Sequence, residues 1–125
     1  VIRIAVVDDT ATIRMLVRRV LSSDERFEVV GEACDGVEAL RLVDDAAPDV
    51  LLLDLAMPNM DGLEVLVHLR AAGHGPIVVV LSGFTDGAED AARNLGAAGF
   101  INKATNVREL PTLVAGVVEN AILAS

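Results

Sequence analysis

Short aliphatic runs alternate along this chain with longer segments whose apolar residues recur at helical spacing. Ile2 to Val7 reads as a strand, and Ala11 to Leu21 as a helix with Ile13, Leu16, Val17, Val20 and Leu21 at helical spacing. Phe27 to Val30 is a second, weaker strand closed by Gly31, and Gly36 to Val43 is a short helix with Val37, Leu40 and Val43 on one side. Val50 to Leu53 has no polar interruption, as a strand buried on both faces requires. The turn Pro58-Asn59-Met60-Asp61-Gly62 leads into a helix carrying Leu63, Leu66, Val67 and Leu69, which Gly73 to Pro76 breaks. Ile77 to Leu81 is an unbroken aliphatic run, Asp86 to Leu95 is helical and stops at Gly96, and Gly99 to Ile101 is a short last strand. A final helix begins near Asn106, which together with Glu109 fits a capping box. Pro111 is a misfit in it, because just past the first turn it removes one backbone hydrogen bond.

Five strands alternating with five helices predict an α/β fold: a doubly wound parallel sheet with right-handed crossovers. Five strands suit the flavodoxin-like order 2-1-3-4-5 better than the six-stranded dinucleotide fold. No linker, repeat or low-complexity stretch interrupts residues 1–125, so a single domain is expected. Composition agrees: 53% of residues are apolar, nearly all aliphatic, with three Phe and no Trp or Tyr. The formal charge of -9, with no Lys/Arg cluster, argues against direct nucleic-acid binding by this segment. No apolar run approaches the roughly 18 residues of a membrane span. Arg3 and Asp8 interrupt the first apolar stretch, so no secretory signal is expected there. A lone Cys34, expected as a packing residue, leaves no disulfide framework, and a cytoplasmic location is the natural reading.

In open sheets of this kind ligands bind beyond the carboxyl ends of the strands. The first run ends in Asp8-Asp9, the third in Asp54, the fourth in Ser82-Gly83 and the fifth in Asn102-Lys103; the second lacks such an ending. A single Asp at a strand end is usually a cap or turn residue. All four endings together are far more specific. Three gathered carboxylates repel one another until one is protonated or a cation joins them. All-oxygen ligands favour a hard ion, Mg2+ before Ca2+, because so few protein ligands leave room for water and phosphate oxygens. Asp54 could then present an oxygen to phosphorus, with Mg2+ and the Lys103 ammonium facing the phosphoryl charge and Ser82 offering a hydroxyl.

These residues resemble the response regulator receiver domain family, the CheY-like superfamily. The resemblance rests on Val6-Val7-Asp8-Asp9, on Leu51 to Gly62 around Asp54, on Leu81-Ser82-Gly83 and on Gly96 to Lys103, and it spans essentially the whole chain. It implies that Asp54 is the phosphoacceptor. It further implies that Asp9 and Asp54 ligate Mg2+ directly, Asp8 acts largely through water, and the backbone carbonyl of Ala56 is a further ligand. Lys103 would hold the phosphoryl group. Ser82 would swing towards it and Phe100 would follow inward, as a two-state switch; Phe100 could equally be core packing. Ala56 and Phe84 would flank the acyl phosphate and tune its lifetime. A sensor histidine kinase would be the donor. The surface of the fourth helix, fifth strand and fifth helix would meet an output domain, an effector protein or a second copy in a phosphorylation-dependent homodimer. The stretch Lys103 to Leu110, with Ala104 where many receivers have Pro, looks like receivers joined to LuxR-type helix-turn-helix domains.

On this reading the chain is a switch that phosphorylates and dephosphorylates itself, not an enzyme turning over an external substrate. Rival readings fare worse. A haloacid dehalogenase-type phosphatase needs a second Asp two residues after the first, where Ala56 stands. A flavin carrier on the same fold would not place carboxylates where its phosphate sits. A receiver-like module that is never phosphorylated would have no use for an intact acidic site. His68 and His74 have no second ligand spaced beside them, and Met15, Met57 and Met60 are expected to pack or make surface contacts.

Overall fold

The computed structural model describes residues 1–83 and 87–124. Its elements run β1 (Ile2–Val7), α1 (Ala11–Ser22), β2 (Phe27–Ala33), α2 (Gly36–Ala46), β3 (Val50–Leu53), α3 (Gly62–Ala72), β4 (Ile77–Ser82), α4 (Ala88–Asn94), β5 (Gly99–Asn102) and α5 (Leu110–Ala124). The strands form one parallel sheet in the order β2-β1-β3-β4-β5.

Alternation along the strands divides the core in two. Ile4, Val6, Val50, Leu52, Val79 and Leu81 point to one face, where Val17 and Leu21 of α1 and Leu110, Val114 and Val118 of α5 cover them. Ala5, Val7, Leu51, Leu53, Val78 and Val80 point to the other, under Ala39 of α2, Val65 and Leu66 of α3, and Ala92 of α4. Every residue of β3 is buried, because helices cover both sides of the central strand. Asp61 starts α3 with a capping box, its carboxylate accepting from the Glu64 amide at 2.9 Å.

Three details depart from the sequence reading. First, β2 does not close at Gly31. It continues to Ala33 through a register shift, Ile4 opposite Val29 but Ala5 opposite Gly31, and Gly31 leaves room there for Leu42. Second, the helix expected from Asp86 is described only from Ala88, and Asp86 lies outside the described residues. Third, Asn106 caps a 3-10 turn over Val107–Glu109, its side-chain oxygen accepting from the Arg108 amide at 3.0 Å. The α-helix proper starts only at Leu110, so Pro111 sits in its first turn, where no backbone donor is missed.

Candidate functional site

Backbone register alone assembles the carboxylates. Val7 pairs with Leu53, so the residues that follow them, Asp8 and Asp54, leave the sheet side by side. The ladder continues one step beyond the strands: the Asp54 amide donates to the Val7 carbonyl at 2.9 Å and the Asp8 amide to the Ala33 carbonyl at 3.1 Å. On the other flank Ser82 pairs with Asn102, and the Lys103 amide donates to the Ser82 carbonyl at 2.9 Å. Short aliphatic strands of matched register thus deliver four polar residues to one end of the sheet.

The side chains converge. The Lys103 ammonium donates to Asp54 Oδ2 at 3.1 Å and lies 2.8 Å from Asp8 Oδ2. The Ser82 hydroxyl reaches Asp54 Oδ1 at 3.4 Å, and the Ala56 amide donates to the same oxygen at 3.2 Å. The Thr10 amide donates to Asp8 Oδ1 at 2.9 Å. Asp8, Asp54 and Ser82 are 2%, 2% and 3% exposed, whereas Asp9 is exposed. Burial pushes the Asp54 carboxyl above its usual range; the Lys103 contact opposes this and the Asp8 charge adds to it. Burial also works against the Lys103 charge, but its contacts with the Asp8 and Asp54 carboxylates prevail and raise it.

Oxygens of Asp8, Asp9 and Asp54 lie within 4.8 Å of one another. Asp8 Oδ2 is buried and faces the Lys103 ammonium at 2.8 Å but accepts no further hydrogen bond among the described residues, so a lone pair remains for a cation. Two carboxylates against one ammonium leave negative charge over. An oxygen-only donor set with an underused buried oxygen fits a hard divalent cation. A second acidic group, Cys34, Asp35 and Glu38, lies beyond β2. There the Cys34 thiol donates to Glu38 at 3.3 Å, and this bond with burial raises its pKa, so it is a poor nucleophile.

Phe100 is half-buried on β5, packed against the core under α2, α3 and α4. Ala56 is exposed beside Asp54. Phe84, expected on the other flank of the acyl phosphate, lies outside the described residues. His68 and His74 are exposed, on and after α3, away from the carboxylates. The sequence reading missed Arg14. Its guanidinium donates to the Asp8 carbonyl at 2.6 Å and faces Glu32 at 3.5 Å. Nothing in the spacing of the carboxylates signals it, because the bond goes to the backbone.

Comparison with known proteins identifies the family and the fold. The response regulator receiver domain matches residues 4–115. A protein-glutamate methylesterase/protein-glutamine glutaminase of Myxococcus xanthus is 49% identical over 106 residues, 83% of this chain and 30% of that protein. The signal receiver domain of the response regulator NarL from Mycobacterium tuberculosis superposes with a TM-score of 0.88 at 37% identity, covering 94% of this chain and 96% of that one. The response regulator domain of Thermotoga maritima CheB gives 0.84 at 31%, covering 95% of each. The chain spans 29–30% of the length of the first curated relatives it matches. Those relatives are named as enzymes, and this corrects one expectation: the reading of a protein without turnover of an external substrate does not stand. That reading followed from the residues at the strand ends alone, which carry no information about catalysis elsewhere. Among the described residues no helix is long and apolar enough to cross a membrane.

Proposed function

The chain belongs to the response regulator receiver domain family of two-component signalling, and from that premise we propose that Asp54 is its phosphoacceptor, with Mg2+ held by Asp8, Asp9, Asp54 and the Ala56 carbonyl. The observation that carries this reading is the Lys103 ammonium within 3.1 Å of a buried Asp54 carboxylate and 2.8 Å of Asp8. An Asp54 oxygen forms a bond to phosphorus as the bond from phosphorus to the donor, a sensor histidine kinase, breaks. Mg2+, when bound, supplies positive charge against the phosphoryl oxygens. Lys103 supplies a second positive charge from the protein itself. The Ser82 hydroxyl, 3.4 Å from Asp54 Oδ1, turns to the new phosphoryl oxygens, and Phe100 moves with it. The reading places the protein in the cytoplasm, beside such a kinase.

Incubation with acetyl phosphate and Mg2+, followed by intact mass measurement, tests this. The wild type gains one phosphoryl group; Asp54→Asn and a sample with chelator do not. Phosphoryl uptake undiminished in Asp54→Asn would sink the assignment. For the output, the names of the sequence relatives favour a protein-glutamate methylesterase domain over a LuxR-type DNA-binding domain. Phosphorylation-dependent hydrolysis of glutamate methyl esters by the full-length protein, set against phosphorylation-dependent DNA binding, separates the two. Size-exclusion of the phosphorylated chain tests for the homodimer.

A further inference from the structure

We infer that Arg14 is a positioning residue for the divalent cation: its bond to the Asp8 carbonyl fixes the peptide that presents Asp9. The inference rests on the metal reading proposed above. Asp9 is exposed, and among the described residues nothing hydrogen-bonds its carboxylate, yet an oxygen of it lies within 4.8 Å of Asp8 and Asp54 oxygens. Its placement therefore depends on the backbone. That backbone is held at Asp8 from two sides. The Asp8 amide donates to the Ala33 carbonyl at 3.1 Å, and the Asp8 carbonyl, which begins the peptide to Asp9, accepts from Arg14 Nη1 at 2.6 Å.

Arg14 is itself braced. It sits in α1, one turn beyond the Thr10 cap, and its amide donates to the Thr10 carbonyl at 3.0 Å. Its Nε faces Glu32 Oε1 at 3.5 Å, and Glu32 also takes Arg18. Glu32 stands opposite Val6 on β2, downstream of the register shift, so β2 sets the guanidinium's direction. The Arg14 side chain is only 20% exposed, which limits how far it can wander. Outer contacts of this kind orient the groups that touch a metal, and their loss typically lowers metal affinity about 10–100-fold.

A rival account has the opposite sign. If Arg14 acts only through its charge, it repels a cation nearby, and removing it tightens binding. Calorimetric titration of the chain with Mg2+ decides between them. Arg14→Met should raise the half-saturating Mg2+ concentration on the order of tenfold, and the Mg2+ concentration that half-saturates acetyl phosphate labelling should rise with it. Arg14→Lys, which keeps one donor for the Asp8 carbonyl, should recover part of the loss. Glu32→Gln should show a smaller rise in the same direction. Equal or tighter Mg2+ binding by Arg14→Met overturns the inference and leaves the phosphoacceptor reading intact. A wild type that takes up no Mg2+ overturns both. Should circular dichroism show Arg14→Met unfolded, unchanged half-saturation in Arg14→Lys and Glu32→Gln is the overturning result.

Discussion

Asp8 and Asp54 set two carboxylates against one ammonium at the end of the sheet, and Asp54 is buried. Burial raises the cost of ionising Asp54, and Asp8 adds to it. Asp54→Asn keeps the shape and removes the surplus charge, so without divalent ions at neutral pH it should melt above the wild type, by about 1 kcal/mol of added stability. Mg2+ should then stabilise the wild type and leave the variant unchanged; thermal melts with and without chelator read both effects. Asp24 works in the other direction. Side-chain hydrogen bonds from Arg26, at 2.8 and 3.0 Å, hold its carboxyl down to about 2 from 3.8. A lowered folded-state value means stability that is complete above the unfolded value and lost as pH falls through the folded one. Urea midpoints should therefore decline between pH 4 and 2 in the wild type, more steeply than in Asp24→Asn.

At the scale of elements, two glycines show how differently a methyl group is received. A Cβ at Gly62 would lie 2.4 Å from the Asp54 carbonyl oxygen and 2.7 Å from the Leu55 Cα, both backbone. A Cβ at Gly31 would lie 2.4 Å from Leu42 Cδ1, the far end of a half-buried side chain that can turn away. Gly62→Ala should cost about 3 kcal/mol in urea unfolding and Gly31→Ala about 1 kcal/mol or less. Gly62→Ala should also slow acetyl phosphate labelling, because the clash falls on the residue that carries the carboxylate.

Element type was readable because aliphatic runs and helical periodicity are written in the residues themselves. The boundaries that shifted were set by partners. β2 outlasts Gly31 because β1 keeps pairing with it, and α5 starts late because Asn106 caps a tighter turn first. The carboxylates and Lys103 were legible from strand endings. Arg14 and the Thr10 amide were not, since their bonds join a side chain to a carbonyl, or an amide to a side chain, and neither leaves a mark on spacing.

Across the whole molecule, the sheet order gives the polar groups unequal footing. The Asp8 and Asp54 carboxylates follow β1 and β3, each paired on both sides. Ser82 ends β4, whereas Lys103 follows β5, a four-residue strand paired on one side only. Openings that release an edge need not disturb the centre. Amide hydrogen exchange should accordingly be slowest in Ile4–Val7 and Val50–Leu53 and faster in Gly99–Asn102; uniform protection across all three would contradict this.

The edge position of β5 has a mechanical consequence. Asp8 and Asp54 are anchored in the middle of the frame, while the ammonium is carried on its margin. A shift in what Lys103 holds would therefore be felt first at the rim, along β5 and the segments that flank it, before it reached the centre.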